Sequence, residues 1–179
     1  MTLDELKSHV RTVVDWPEAG VRFRDVTPLF ETPDCFKTIV DTICQHYEEI
    51  GVDRIAGVDA RGFVIGGAVA NQMNLPFVLV RKKGKLPFET VSEDYSLEYG
   101  KATIEVHMDS VDKEDRIAVV DDLIATGGTL LAASKLFQRL GAAVVEVTAV
   151  IDLPELGGSQ LLNTSGLKVM SLIEFSESE

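Results

Sequence analysis

The sequence of 179 residues predicts an α/β fold, a mostly parallel twisted sheet flanked by helices. Three observations carry that prediction. Apolar runs of strand length alternate with segments of helical period, as right-handed βαβ units require. The best strand candidates are continuous apolar runs rather than alternating ones, the mark of strands covered on both faces. Three strand candidates also end in charged or glycine-rich segments, at 59–62, 81–83 and 121–129, where parallel sheets bind ligands.

Taken in order, the chain opens on a mixed, charged stretch with no cleavable apolar core, so no secretory signal is expected. The clearest helix spans 32–50. Thr32 suits the cap, Pro33 the first turn and Asp34 the positive end of the dipole. Phe36, Ile39, Val40, Ile43, Tyr47 and Ile50 recur at helical spacing, and Gly51 closes the helix. A short strand then ends at Asp59, and 63–73 reads as a buried helix of small apolar residues. Residues 75–80 read as a strand buried on both faces. Residues 81–95 are charged, carry Gly84 and Pro87 and lack apolar period, which predicts a long exposed loop. Strands follow at 101–106 and 117–120. Leu130, Ala133, Phe137 and Leu140 mark a helix that Gly141 ends. The last strands are 143–151 and 167–173.

Composition narrows the function. Hydrophobic residues make up 45% and charged residues 26%, an ordinary globular balance. The net charge of −12 repels phosphate backbones and disfavours nucleic-acid binding, while leaving room for a local cationic pocket. No apolar run approaches the roughly 18 residues of a membrane span. Cys35 and Cys44 share one helix and stand roughly 13 Å apart along it, too far for a disulfide. With three scattered histidines and no CxxC pair, a zinc site is not expected. These features predict a cytoplasmic single domain without membrane or nucleic-acid partners.

The strongest chemical signal is Val119-Val120-Asp121-Asp122-Leu123-Ile124-Ala125-Thr126-Gly127-Gly128-Thr129. A buried strand delivers two adjacent acids, and a hydroxyl-flanked glycine turn then enters a helix. Such glycines let backbone approach a ligand, and successive N–H groups at a helix start cradle a phosphate. The acids suit a sugar diol or the water shell of Mg²⁺. An acidic strand end before a plain glycine turn is the bland alternative, and the full string is too specific for it. The dinucleotide fingerprint, the Walker A loop and the GxSxG elbow are absent. Asp59-Ala60-Arg61-Gly62-Phe63 is a second strand-to-helix turn, although a lone Arg at a turn is more often a solvated surface residue. Arg81, Lys82, Lys83 and Lys85 place four cations within five positions, which alone reads equally as a soluble basic loop. Together, the three segments suit a ligand with a monophosphate at one end and a pyrophosphate at the other.

These residues resemble the type I phosphoribosyltransferase family. The string 119–129 resembles its phosphoribosyl pyrophosphate motif, and four further segments resemble its adenine-using branch: 20–29 (GVRFRDVTPL), 59–63, 81–87 and 95–101 (YSLEYGK). Their order and spacing match along nearly the entire chain. The resemblance implies transfer of the 5-phosphoribosyl group from 5-phosphoribosyl 1-pyrophosphate to adenine, giving AMP and pyrophosphate, with Mg²⁺ held through substrate and water. It implies that Ala125, Thr126, Gly127, Gly128 and Thr129 hold the 5-phosphate and that Asp121 and Asp122 address the ribose. Ala60, Arg61, Arg81, Lys82 and Lys85 would hold the pyrophosphate. Residues 1–33 would form an amino-terminal helix and a hood over the base, with 34–179 the core and 82–95 a lid. In the hood, Phe23 would stack on the purine while the backbone of Arg22 and Arg24 reads its edge, and Leu156 would pack opposite. Glu98 would be the catalytic acid or base and Tyr99 a lid residue. A surface carboxylate is the plainer reading of Glu98. The family also implies a homodimer. Two departures stand out: Phe88 where the family often has Gly, and Trp16-Pro17 in place of Phe-Pro. Two other functions are open to such a fold. Transfer to another base such as xanthine is opposed by the hood and by 97–100. A nucleic-acid-binding sensor is opposed by the charge and by an amino-terminal segment too short for a DNA-binding domain.

Overall fold

The computed structural model describes residues 1–97 and 100–176. Helix α1 (Leu3–Ser8) opens with a reciprocal capping box between Thr2 and Glu5. Strands β1 (Arg11–Val14) and β2 (Arg22–Asp25) then form an antiparallel ribbon that pairs Val13 with Phe23. Helices α2 (Thr27–Glu31) and α3 (Pro33–Ile50) follow. Thr32 stands at the cap position of α3 in extended backbone, but its side chain makes no cap hydrogen bond. Gly51 closes α3 at φ +71°.

The rest of the chain builds one seven-stranded sheet. In chain order its members are β3 (Arg54–Val58), β4 (Phe77–Lys82), β5 (Thr90–Leu97), β6 (Gly100–His107), β7 (Arg116–Ile124), β8 (Ala143–Asp152) and β9 (Val169–Glu174). Their spatial order is β5-β6-β4-β3-β7-β8-β9. The run from β4 to β9 is parallel, and β6 joins β4 and β5 antiparallel, so the sheet is mostly parallel as expected. Helix α4 (Arg61–Met73) connects β3 to β4, and α5 (Gly128–Arg139) connects β7 to β8. A short 3₁₀ turn (Pro154–Leu156) and α6 (Gly158–Thr164) connect β8 to β9.

Each face of the sheet buries its own core. Ile39, Ile43, Tyr47, Ile65 and Val69 of α3 and α4 pack with Val120 and Val150. Leu130, Ala133, Phe137 and Leu162 of α5 and α6 pack with Val119 and Val147. Two polar pairs cross the first of these cores: the Tyr47 hydroxyl donates to Thr148 Oγ1 at 2.6 Å, and His46 Nε2 meets Glu146 Oε2 at 2.5 Å, whereas the buried His107 Nε2 and Asp152 Oδ1 have no partner among the described residues.

Three expectations need correction. The segment 82–95 is not one loop. Lys82 still belongs to β4, and from Thr90 the chain is an edge strand that pairs along its whole length with β6. Its period of two is real: Val91, Glu93 and Tyr95 are partly buried while Ser92, Asp94 and Ser96 are exposed. The alternation is hidden in the sequence because Glu93 sits on the covered side. Its partners lie on α5, Lys135 at 3.8 Å and Arg139 at 3.3 Å. Second, β4 is not buried on both faces. Leu79 is 40% exposed, because α4 lies mainly over β3 and β7. Third, β7 runs on to Ile124, so Asp121 and Asp122 lie within the strand rather than beyond it. Among the described residues no helix is long and apolar enough to cross a membrane.

Candidate active site

The carboxyl ends of β3, β4, β7 and β8 share one rim. At β3 the chain turns through Asp59 and Ala60, joined by a cis peptide, into the first turn of α4. Gly62 makes the approach to β7 possible: a Cβ there would lie 2.5 Å from the Val120 carbonyl oxygen and 3.3 Å from Asp121 Cα. That contact brings Arg61 beside the paired acids. Arg61 Nε donates to Asp122 Oδ2 at 2.5 Å, with Asp122 buried and Arg61 half exposed. Burial works against the Arg61 charge, but Asp122, Asp121 and Asp25 outweigh it and raise its pKa. Burial, and after it the Asp122 charge, push the Asp121 carboxyl well above the ordinary carboxylate range.

Beyond the acids, residues 125–127 turn into α5. Gly127 has φ +77°, and the first N–H groups of α5 have no partners within their own helix. Asp121 and residues 123–130 line a cavity of about 100 Å³. The loop after β8 is pressed against this turn. Gly158 N–H donates to the Ala125 carbonyl at 3.0 Å, and a Cβ on Gly127 would lie 2.8 Å from the Gly158 oxygen. Leu156, 48% exposed, stands just before that contact.

The end of β4 adds cations. Arg81 Nε donates to Asp59 Oδ2 at 3.1 Å, and its Nη1 reaches the Lys85 carbonyl at 3.4 Å. Lys82 and Lys85 are exposed on the same turn. The amino-terminal ribbon joins the rim through Asp25. Burial works against its charge, but two hydrogen bonds from Thr27 together with Arg11 and Arg61 hold its carboxyl below the ordinary value. On that ribbon Phe23 packs edge-on against the half-exposed Trp16 at 4.4 Å. The Arg24 side chain turns inward: it donates to Thr12 Oγ1 at 2.5 Å and lies over the Phe175 ring at 4.4 Å.

The structure thus brings together Ala60, Arg61, Arg81, Asp121, Asp122 and the turn 125–129, and carries the ribbon and Leu156 to the same end of the sheet. Glu98 and Tyr99 lie outside the described residues. Sequence reasoning missed Asp25 and Gly158 as contributors to the rim, and marked the segment 59–62 without a role for the Asp59 side chain. Asp25 and Asp59 each stand directly in a quoted motif. Gly158 carried no signal beyond the pair Gly157-Gly158.

The sequence matches the phosphoribosyl transferase domain over residues 25–163. An adenine phosphoribosyltransferase from Acidovorax sp. (strain JS42) is 53% identical over 175 residues, 97% of this chain and 95% of the relative. The adenine phosphoribosyltransferase of Thermoanaerobacter pseudethanolicus superposes with a TM-score of 0.93 at 40% identity, over 97% of this chain and 100% of that one. The adenine phosphoribosyltransferase of Trypanosoma brucei, solved with AMP, pyrophosphate and ribose-5-phosphate, gives 0.88 at 31% identity, over 96% of this chain and 79% of that one. The chain belongs to the phosphoribosyltransferase family. Within that family it groups with the adenine phosphoribosyltransferases.

Proposed function

We propose that this chain transfers the 5-phosphoribosyl group from 5-phosphoribosyl 1-pyrophosphate to adenine, releasing pyrophosphate and giving AMP in purine salvage. The observation that carries the reading is the junction of α4 with β7. There Arg61, Asp121 and Asp122 stand together between a phosphate-sized turn and a cationic turn. One end of the site takes a monophosphate, the middle a diol and the other end a pyrophosphate.

In this reading the N–H groups and hydroxyls of residues 125–129 bind the 5-phosphate. Asp121 and Asp122 accept from the ribose hydroxyls. Breaking the C1–O bond leaves an oxocarbenium-like carbon and builds negative charge on the departing pyrophosphate. Arg61, Arg81, Lys82, Lys85 and the backbone at Ala60 stabilise that charge. The two strand-end acids are hard oxygen donors, which fits Mg²⁺ retained through substrate oxygens and water. When bound, the ion adds charge neutralisation at the pyrophosphate. Phe23 and Leu156 hold the purine from either side, and the backbone of Arg22 and Arg24 reads its edge. Adenine presents an amino donor beside a ring acceptor, which one C=O and one N–H can pair. Hypoxanthine and guanine put an oxygen there, leaving a buried carbonyl unpaired at about 1–3 kcal/mol, roughly ten- to hundredfold in rate. Glu98 is the proposed acid or base and Tyr99 a lid residue, and the β5–β6 hairpin serves as the lid.

The chain works as a homodimer in this reading. Val64 of α4 and Leu79 of β4 are large, exposed and apolar, and suit burial against a second copy. The two free buried thiols suit a reducing cytoplasm.

The deciding experiment supplies the purified chain with Mg²⁺, 5-phosphoribosyl 1-pyrophosphate and each of adenine, hypoxanthine, guanine and xanthine. AMP and pyrophosphate are expected from adenine. No AMP, or equal turnover of another base, would overturn the proposal.

A further inference from the structure

We propose that Glu105 is a positioning residue for the pyrophosphate half of the substrate, holding the cationic turn after β4 by filling that turn's own anion nest. The inference rests on the reading of this rim as a phosphoribosyl pyrophosphate site.

Glu105 lies on β6, opposite Arg81 of β4 on one side and Ser92 of β5 on the other. It is a carboxylate only 4% exposed. A single oxygen, Oε1, accepts from three consecutive backbone N–H groups: Gly84 at 2.9 Å, Lys85 at 3.1 Å and Leu86 at 3.1 Å. The Thr90 hydroxyl stands 3.5 Å from the other oxygen. The N–H of Lys83 is also taken, by the Thr103 carbonyl at 3.0 Å. Gly84 at φ +81° lets the turn curl so that its N–H groups converge.

Successive N–H groups aimed at one point are the geometry by which backbone binds phosphate. Here that concavity is filled from within. With the nest occupied, the turn offers ligand its outer side chains, Lys82 and Lys85, and the carbonyl that steadies Arg81. Glu105 therefore decides which part of the turn meets an anion. A buried carboxylate is costly unless bonded, and all the backbone bonds made by this one belong to the turn. Without it, the three N–H groups become a competing anion site on a loosened turn, and Lys82 and Lys85 lose their registration with Arg81, which the Lys85 carbonyl holds.

The test pairs steady-state kinetics with amide hydrogen exchange on the full-length chain. Glu105→Ala is expected to raise KM for 5-phosphoribosyl 1-pyrophosphate about tenfold and to leave KM for adenine within about twofold. Glu105→Gln keeps an acceptor oxygen and is expected to restore the first KM to within about threefold of the unmodified chain. If Glu105→Ala does not fold, Glu105→Asp keeps the charge but withdraws it by one methylene, with an expected rise of about fivefold. Exchange in the ligand-free protein is expected to quicken at residues 84–86 and not across the sheet. An unchanged KM for 5-phosphoribosyl 1-pyrophosphate in a folded variant, an equal rise in both KM values, or uniformly faster exchange would overturn the proposal. Inactivity of the unmodified chain would instead sink the reading of the site, while the exchange result would still report on the turn.

Discussion

Gly158 offers the most direct test of how the loop after β8 supports the phosphate turn. A Cβ at this position would lie 2.3 Å from the Ala125 carbonyl oxygen, 2.7 Å from Gly127 N and 2.8 Å from Ile124 Cγ2. Ordinary contact begins at 3.4 Å. Two of the three obstacles are backbone and cannot rotate away. Gly158→Ala must therefore push the turn 125–127 or the start of α6 by about 1 Å, a displacement of the size that costs roughly a hundredfold when it reaches groups fixing substrate. Overpacking of this kind costs about 1–3 kcal/mol. For a chain of this length each kcal/mol lowers Tm by about 2–4 °C. The expected result is a Tm lower by about 2–12 °C and kcat/KM for 5-phosphoribosyl 1-pyrophosphate lower by about two orders of magnitude. Gln160→Ala, exposed on the same helix, should stay within about 0.5 kcal/mol and keep full activity. Thermal melts and initial rates on the two variants suffice. Unmodified Tm and kcat/KM in Gly158→Ala would mean that the turn yields freely, and the support argument would fail.

Three further outcomes follow from the same coordinates. Because burial and Asp122 raise the Asp121 pKa, its ionised form costs stability that appears as pH rises above the ordinary value of 3.8. Asp121→Asn should therefore melt higher than the unmodified chain, by a margin that grows as pH is raised from 4 to 7, and with Asp122→Asn should lose at least about a hundredfold in turnover while staying folded; full activity would remove both acids from the site. Tyr47→Phe leaves the buried Thr148 hydroxyl without its partner and should cost about 1–3 kcal/mol in urea unfolding with kcat/KM unchanged, since the pair lies in the core under α3. Burial, then Asp41 and Glu48, push the Cys44 thiol up to about 11, so it should resist alkylation at pH 8 in the folded chain, and its contribution to stability should fall as pH climbs from 9 toward 11; rapid labelling at pH 8 would contradict its burial.

The centre of the sheet was legible because β3, β7 and β8 are covered on both faces, which leaves continuous apolar runs such as 117–120. The turn 125–129 was legible as a candidate phosphate cradle because its glycines, hydroxyls and the acids before it are contiguous. What stayed hidden depends on partners distant in the chain. Glu93 looks like a loop residue until Lys135 and Arg139 stand opposite it. Leu79 looks buried until α4 is seen to lie over the neighbouring strands. Glu105 reads as a polar position in an alternating strand, and its importance comes from a turn some twenty residues earlier. Gly158 is one glycine in a short loop, and only its approach to Ala125 sets it apart.

The electrostatics of the rim connect these observations. In a chain of net charge −12, the main donors of the rim are already held by acids. Arg61 is bonded to Asp122, Arg81 to Asp59, and the Gly84–Leu86 N–H groups to Glu105. Each donor is already oriented by an acid that is buried or nearly so, which fixes its direction before any ligand arrives. On the proposed reading, a pyrophosphate entering the rim would meet positioned guanidinium groups whose charges are partly neutralised, so its binding would be an exchange of carboxylate for phosphate rather than a simple neutralisation. That exchange would leave the net attraction modest in the ground state. It favours the moment when the C1–O bond breaks and the leaving oxygen gains charge, because only then does phosphate outcompete the resident carboxylates by more than it did on arrival. The acids that seem to work against phosphate binding are, on this argument, what directs the cations toward the transition state.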